Sequence, residues 1–119
     1  MKERDLIKRS KTFAHRCVKL AVSLPKSKLG IHIEGQLIRC STSVAANYRA
    51  ACLGQTKKSF IAKLSIVIEE ADESNFWIDF LMEENLLSKE KCEDLFKESG
   101  ELTAIFIASR KTAEKSVNR

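Results

Sequence analysis

Residues 36–77 read QLIRCSTSVAANYRAACLGQTKKSFIAKLSIVIEEADESNFW, which is two helical patterns joined across residues 54–56. The first pattern repeats small or apolar side chains at steps of three and four: Leu37, Cys40, Val44, Tyr48 and Ala51. The second repeats in the same way: Phe60, Leu64, Val67, Ala71 and Ser74. Steps of three and four place side chains on one face of a helix. The stretch therefore predicts two amphipathic helices separated by a short turn.

The rest of the chain extends this pattern in both directions. A strict alternation of threes and fours continues downstream: Cys92, Leu95, Ser99, Leu102, Phe106, Ser109 and Ala113. One proline and four glycines in 119 residues leave little turn chemistry for a sandwich or barrel. We predict one all-α domain over residues 1–119, with helices at about residues 5–24, 29–53, 57–84 and 89–114. Short connections favour an antiparallel up-down-up-down four-helix bundle.

Individual residues predict where these helices begin and end. Pro25 pushes the residue before it out of the α region, which ends the first helix. Gly54 and Asn85 are predicted to adopt the left-handed conformation after the second and third helices. Thr56 or Ser59 is predicted to cap the third helix at its N-terminus.

Charge is unevenly distributed along the chain, whose net charge is +5. Residues 1–28 hold nine Lys or Arg against two acids, whereas residues 59–87 hold seven acids against Lys63. Such a polarised molecule favours either a polyanion on its basic side or self-association of opposite faces. The candidate cations for a nucleic acid are Lys8, Arg9, Lys11, Arg16, Lys19, Lys57 and Lys58. Few aromatic side chains accompany them, so contacts to the backbone or shape of RNA are favoured over base stacking, while a merely solvated face is the plain alternative.

A band of polar residues interrupts the apolar pattern of the second helix. Its members are Arg39, Ser41, Thr42, Ser43, Asn47 and Arg49. Charged residues that follow in the third helix are the expected partners: Lys63, Glu69, Glu70, Asp72 and Glu73. Buried polar groups need partners, because each unsatisfied group costs about 1–3 kcal/mol. We expect a network that fixes helix register, and the other interpretation is a band that faces a pore or ligand.

The sequence gives no pattern that indicates catalysis or a cofactor. Di-iron bundles use Glu-x-x-His pairs, but neither His15 nor His32 follows a glutamate by three residues, so no metal site is expected. No phosphate-cradling glycine motif occurs, and no nucleophile lies beside a base. The four cysteines lack a C-x-x-C pair and are expected to be buried, reduced thiols. We expect a non-enzymatic protein without cofactors, and a cytoplasmic one because no signal peptide or span is evident.

Three of the predicted helices carry apolar side chains beyond the one stripe that a core requires. These additional residues are Ile31 and Ile38, then Ile61, Ile66, Ile68, Phe76 and Phe80, and finally Phe96, Ile105 and Ile107. A second apolar stripe is better explained by an interface between subunits than by exposure to water. The sequence thus predicts self-association.

Several short segments, taken in order, resemble those of a known family. They are Asp5-Leu6, Phe13-Ala14, Leu24-Pro25, residues 36–39 (QLIR), residues 43–49 (SVAANYR), residues 60–64 (FIAKL) and residues 69–73 (EEADE) with Trp77. This order and spacing is similar to the four-helix-bundle proteins encoded in 23S ribosomal RNA intervening sequences, which include the accessory protein of diversity-generating retroelements. The chain departs from the family pattern at Ala45, often glycine, and at Ala50, often an acid.

The resemblance implies a ring-like homopentamer that binds nucleic acid without catalysis. It also implies an alternative, a structural or adaptor oligomer that binds a protein partner such as a reverse transcriptase and has no direct role with nucleic acid. In that alternative the basic face is only solvated.

Overall fold

The computed structural model describes residues 2–117, which form four α-helices and no strand. The helices are α1 (Glu3–Val22), α2 (Lys28–Leu53), α3 (Lys57–Glu83) and α4 (Lys89–Val117). The predicted all-α class and the four-helix bundle are confirmed. None of the helices within these residues is long and apolar enough to cross a membrane.

Each helix packs antiparallel to the one before it, and α4 returns beside α1 with the sparsest contacts. For example, Lys57 at the start of α3 contacts Ser116 near the end of α4. Farther along the same pair, the Asn75 amide donates to the Ser99 hydroxyl at 2.9 Å. The Cα atoms span 51 × 20 × 19 Å, which is a rod with a nearly square cross-section. In this arrangement α1 and α3 lie at opposite corners of the square.

The turn residues confirm two predictions and correct one. Asn85 has φ of 56° and so adopts the left-handed conformation after α3. The Thr56 hydroxyl accepts a hydrogen bond from the Ser59 amide at 3.0 Å, which caps α3. The prediction for Gly54 is wrong: its φ of −63° and ψ of 147° are extended. An extended Gly54 fits because the chain must leave α2 and enter the cap of α3 within three residues.

The first helix ends earlier than the proline indicated. It closes at Val22 rather than residue 24, because the amides of Ser23 and Leu24 bond the carbonyls three residues before them at 3.1 Å. This tightening into a 3₁₀-type turn is common at helix ends. Leu24 lies outside the helix but remains buried, with 3% of its surface exposed. Leu24 therefore belongs to the core, although the other residues of the connection are exposed.

The second helix begins against that connection. Ser27 caps α2, and its hydroxyl accepts from the Gly30 amide at 3.0 Å. A Cβ atom on Gly30 would lie 1.9 Å from the carbonyl oxygen of Pro25. Glycine at this position thus permits the close approach of backbone to backbone that the turn requires.

The interior of the bundle is formed by the stripes that the periodicity predicts. Each helix contributes its apolar face, and Tyr48 of α2 packs against Phe106 of α4 with ring centroids 5.1 Å apart. Each helix also buries one serine completely: Ser10, Ser41, Ser74 and Ser99. Every one of these hydroxyls donates to a carbonyl three or four residues earlier in its own helix. Small, self-satisfied side chains of this kind allow helices to approach closely without unpaired polar groups.

The seam of α4 does not remain buried to its end. Burial is complete through Phe106, whereas Ser109 and Ala113 are half-exposed. The helix itself continues to Val117, three residues beyond the predicted end, and residues 118 and 119 lie outside the described part of the chain. Of the additional apolar residues, only Ile31, Ile66 and Phe76 are exposed, because the others are half-buried between neighbouring helices.

Candidate nucleic-acid interface

A row of cations follows the outer face of α1. Lys8, Lys11, Arg16 and Lys19 are all exposed, and none forms an ion pair within residues 2–117. Lys8 and Lys19 are separated by about 17 Å along the helix at 1.5 Å per residue. We call these four residues the α1 basic stripe. They form an uncompensated line of positive charge on one helix.

Arg9 occupies a different position from the rest of the predicted set. Its Nε donates to Glu98 at 2.8 Å, and its Nη2 donates to Glu98 at 2.6 Å and to Glu101 at 2.8 Å. The hydrogen bond to Glu98 is the main cause of the raised pKa of Arg9, although partial burial opposes it. Bidentate pairing of this kind fixes geometry as well as charge. Arg9 therefore joins α1 to α4, the helix pair with the sparsest contacts.

Lys57 and Lys58 lie at the end of the rod, where α3 begins. Both are exposed, and the Lys57 ammonium contacts the Ser116 hydroxyl of α4. Lys57 lines an opening at this end together with Glu3 of α1, whereas the α1 basic stripe begins at Lys8, so the two lysines are not part of that stripe. The structure thus divides the predicted cations among a stripe, an ion pair and one end of the bundle.

The α1 basic stripe borders a shallow cleft toward α4. Arg16 and Lys19 line this cleft together with Lys91 and Asp94 of α4, around a volume of about 430 Å³. Three cations against one carboxylate give the cleft a positive excess. Such a cleft suits an anion that reaches across two helices.

The polar band is connected to α3 through one residue. Arg39 contacts Glu70 at 2.9 Å and also contacts Glu73, while the Trp77 indole donates to Glu73 at 3.1 Å. Burial disfavours the charge on Glu73, but the hydrogen bonds from Arg39 and Trp77 outweigh it and lower the pKa of this carboxyl. The cluster links α2 to α3 on a surface that is partly open to water.

The other members of the band are arranged differently. The Asn47 amide donates to the hydroxyl and carbonyl of Ser43 at 2.8 and 3.0 Å, within α2 itself. Arg49 of the band is exposed and forms no ion pair within residues 2–117. The same holds for three of its expected partners on α3: Lys63, Glu69 and Asp72. The charges of this band therefore remain at the surface.

An aromatic cluster on α2 and α3 was not predicted from the sequence. The Trp77 ring lies 5.6 Å from His32, 5.0 Å from Phe76 and 6.0 Å from Phe80 between ring centroids. Phe76 is 52% exposed. The spacing of Phe76, Trp77 and Phe80 suggested a helix face, but the contact with His32 depends on the register between two helices. We call these four residues the aromatic patch.

A second groove lies between α1 and α2. Its lining is mostly apolar and comprises Ile7, Ala14, Val18, Ala45 and Ala46, together with the polar His15 and Thr42 and the cations Lys11 and Arg49. The groove encloses about 460 Å³. The two helices thus leave a depression with a mostly apolar lining and two exposed cations. We call it the α1/α2 groove.

The interior holds thiols that are not activated. Burial raises the pKa of Cys17 to about 12 and that of Cys40 to about 11. Cys17, Cys40 and Cys92 are buried as predicted, whereas Cys52 is only half-buried, and all four cysteines are free. No group of three or more His, Cys, Asp or Glu side chains within residues 2–117 is placed to hold a metal ion.

These observations define the class of molecule. It is a four-helix bundle with one basic helix and, at the opposite corner, a helix that is acidic and carries aromatic residues. The family model for the 23S rRNA-intervening sequence protein matches residues 2–108, and the chain belongs to this family. Its fold is similar to the 1.70 Å crystal structure of a protein of unknown function from the S23 ribosomal protein family of Bacteroides thetaiotaomicron VPI-5482. That protein is 31% identical, with a TM-score of 0.85, and the match covers 93% of this chain and 99% of the other. No curated protein matches the sequence.

Proposed function

We propose that this protein is a non-enzymatic, cytoplasmic nucleic-acid-binding protein whose ligand is structured RNA and which needs no cofactor. The observation that carries the proposal is the α1 basic stripe, a line of exposed cations without ion-pair partners in the described chain. Membership of a family named for intervening sequences of 23S rRNA supports RNA as the ligand.

The stripe fits the phosphate backbone better than the bases. Four cations spread over about 17 Å of helix match the scale of several successive phosphates. The imidazole of His15 lies among them, but the phenylalanine and tryptophan rings of the aromatic patch are on α3, beside the acidic residues. Contacts of this kind recognise the shape and charge of a folded RNA rather than its sequence.

Reversal of charge on the stripe tests the proposal. In the triple variant K8E/R16E/K19E, we expect the affinity for a folded RNA fragment to fall by at least tenfold at low salt, because three phosphate contacts become repulsive. A mobility-shift assay measures this change. All three residues are exposed, so circular dichroism should show an intact fold.

The matched control reverses three exposed cations on α4, K89E/K97E/K111E, and changes the net charge by the same amount. This control should retain most of the affinity. Equal loss in both variants would show that only net charge matters, and no binding by the wild type in low salt would contradict the proposal.

A second candidate function rests on the aromatic patch. Exposed Phe76 beside Trp77 and Phe80 is the kind of surface that binds a protein, since aromatic residues dominate the energy of interfaces. In this alternative the protein is a structural adaptor for a partner such as a reverse transcriptase. The substitution F76A would then abolish partner capture while K8E/R16E/K19E would leave it unchanged.

We also propose that the protein assembles as a ring-like homo-oligomer, with five subunits on the resemblance to its family. The exposed Ile31, Ile66 and Phe76 support this, because a contact between subunits would remove these large apolar side chains from water. Multi-angle light scattering at two concentrations should give a multiple of the 13.5 kDa chain mass. A monomer at both concentrations would contradict the assembly.

A further inference from the structure

We infer that the outer face of α3 in one copy packs into the α1/α2 groove of a second copy, head to tail. This inference rests on the proposed assembly and assigns the surfaces that form it. Both surfaces lie on the same chain. The groove carries cations without ion-pair partners in the described chain, and the outer face of α3 carries carboxylates of the same kind.

The groove offers a mostly apolar lining beside two cations. The apolar lining is formed by Ile7, Ala14, Val18, Ala45 and Ala46, and Lys11 and Arg49 are exposed beside it without ion-pair partners in residues 2–117. An apolar lining alone would accept many partners. The two cations restrict it to a surface with carboxylates beside apolar side chains.

The outer face of α3 is such a surface. Ile66 is 40% exposed and Phe76 is 52% exposed, one on each side of Glu69 and Asp72. Steps of three, three and four keep these residues on neighbouring parts of one helix surface. Neither carboxylate forms an ion pair within residues 2–117, in contrast to Glu70 and Glu73, which Arg39 neutralises. Two apolar knobs thus flank two unpaired acids.

The two surfaces complement each other in shape and charge. A helix that presents Ile66 and Phe76 can place them against the apolar lining of the groove, and the three alanines of that lining let another helix approach closely. Glu69 and Asp72 would then face Lys11 and Arg49 and remove the charge imbalance of both surfaces. A phosphate would satisfy the cations but would leave the apolar lining unused.

The directions of the two surfaces favour a closed ring. In a bundle of nearly square cross-section, the groove lies on the α1/α2 side and the outer face of α3 lies at a corner. A corner that does not adjoin this side points about 135° away from it, so repeated head-to-tail contacts curve and can turn back on themselves. Surfaces on opposite sides would instead build an open filament.

This interface divides the α1 basic stripe. Lys11 lies beside the groove, whereas Arg16 and Lys19 line the cleft toward α4. The interface covers Lys11 and leaves Arg16 and Lys19 free for RNA. Assembly and RNA binding are therefore separable by mutation.

Charge exchange across the interface provides the test. The groove variant K11E/R49E and the α3 variant E69K/D72K change only exposed residues, and circular dichroism should show both to be folded. We expect each variant alone to fall to the 13.5 kDa chain mass in light scattering, at concentrations where the wild type assembles. The fourfold variant K11E/R49E/E69K/D72K, and an equimolar mixture of the two double variants, should associate again.

The outcomes distinguish this inference from the proposed function. If both double variants keep the wild-type mass, or if neither the fourfold variant nor the mixture associates, the assignment of surfaces is overturned. A monomeric wild type overturns it as well, even if that monomer binds RNA. Loss of RNA binding in K8E/R16E/K19E with unchanged mass supports the separation of the two surfaces, whereas loss of assembly in that variant contradicts it.

Discussion

At the scale of single residues, Gly30 is the position where the structure leaves least room. Its missing side chain lets the Pro25 carbonyl approach the first turn of α2, and any Cβ would lie 1.9 Å from that oxygen. The substitution G30A should therefore lower the free energy of unfolding by about 2–3 kcal/mol, because backbone must move to remove the clash. Urea denaturation measures the loss.

Gly35, five residues later in the same helix, is the matched control. A Cβ there meets no atom within 4 Å. The substitution G35A should raise the free energy of unfolding by about 0.5–1 kcal/mol, since alanine restricts the unfolded chain and favours the helix. Equal effects at the two positions would show that the contact with Pro25 is not the cause.

Glu73 gives a prediction about pH. Its pKa is lowered in the folded protein by the hydrogen bonds from Arg39 and Trp77, against the opposing effect of burial. The stability that it contributes is present above the pKa of the unfolded carboxyl, about 4.3, and is lost as the pH falls through the lower folded value. We expect E73Q to cost about 0.5–1 kcal/mol at pH 7, in view of its partial exposure, and progressively less below pH of about 4.

Unfolding curves of the wild type and E73Q between neutral pH and about pH 3 test whether the stability difference shrinks as the pH falls. E83Q is the control, because Glu83 is exposed and forms no ion pair in residues 2–117. The prediction would be contradicted if the difference in the free energy of unfolding between wild type and E73Q increased as the pH was lowered.

Residues that act locally were the ones that the sequence predicted well. Asn85 and Thr56 act within a few residues of the chain, and both perform the predicted role. Gly54 and Gly30 depend on what the next helix requires, so composition alone predicted the wrong conformation for Gly54 and no role for the close approach at Gly30. Their conformation is a tertiary property.

At the scale of helices, the junction of α1 and α4 depends strongly on Arg9. This pair has the sparsest contacts in the bundle, and Arg9 joins it through Glu98 and Glu101. We expect R9A to lower the free energy of unfolding by about 1–2 kcal/mol, since it removes bidentate, charge-assisted hydrogen bonds. Hydrogen exchange should increase in α1 and α4 more than in α2 and α3.

K8A is the comparison for R9A. Lys8 is the adjacent residue but is exposed without an ion pair in the described chain, so its loss should change stability by less than about 0.5 kcal/mol. Similar destabilisation by both variants would mean that helix propensity, rather than the link to α4, explains the effect.

The helices themselves follow from periodicity, but their side surfaces do not. The apolar stripes predicted four helices because a step of three or four residues is a property of one chain segment. Whether Ile61 or Phe96 is exposed depends on the neighbouring helix, and both prove to be half-buried. The predicted surplus of apolar surface is therefore smaller than the sequence indicated and is concentrated at Ile31, Ile66 and Phe76.

At the scale of the whole molecule, the order of the helices separates the charges. The basic helix α1 and the acidic helix α3 lie at opposite corners of an up-down-up-down bundle. An anion attracted to α1 would therefore approach from a different side than a cationic partner attracted to α3. Charge counts along the sequence predicted this polarity, whereas the ion pairs that neutralise Arg9 and Arg39 required the register between helices.

The dependence of RNA affinity on salt tests the central proposal most directly. Fluorescence anisotropy with a folded RNA at several salt concentrations gives the slope of log affinity against log salt. If Lys8, Arg16 and Lys19 each meet a phosphate, the slope for one copy should be about −2 to −3 and should approach zero in K8E/R16E/K19E. A wild-type protein with no measurable affinity at low salt, or with a slope unchanged by that variant, would contradict the proposal.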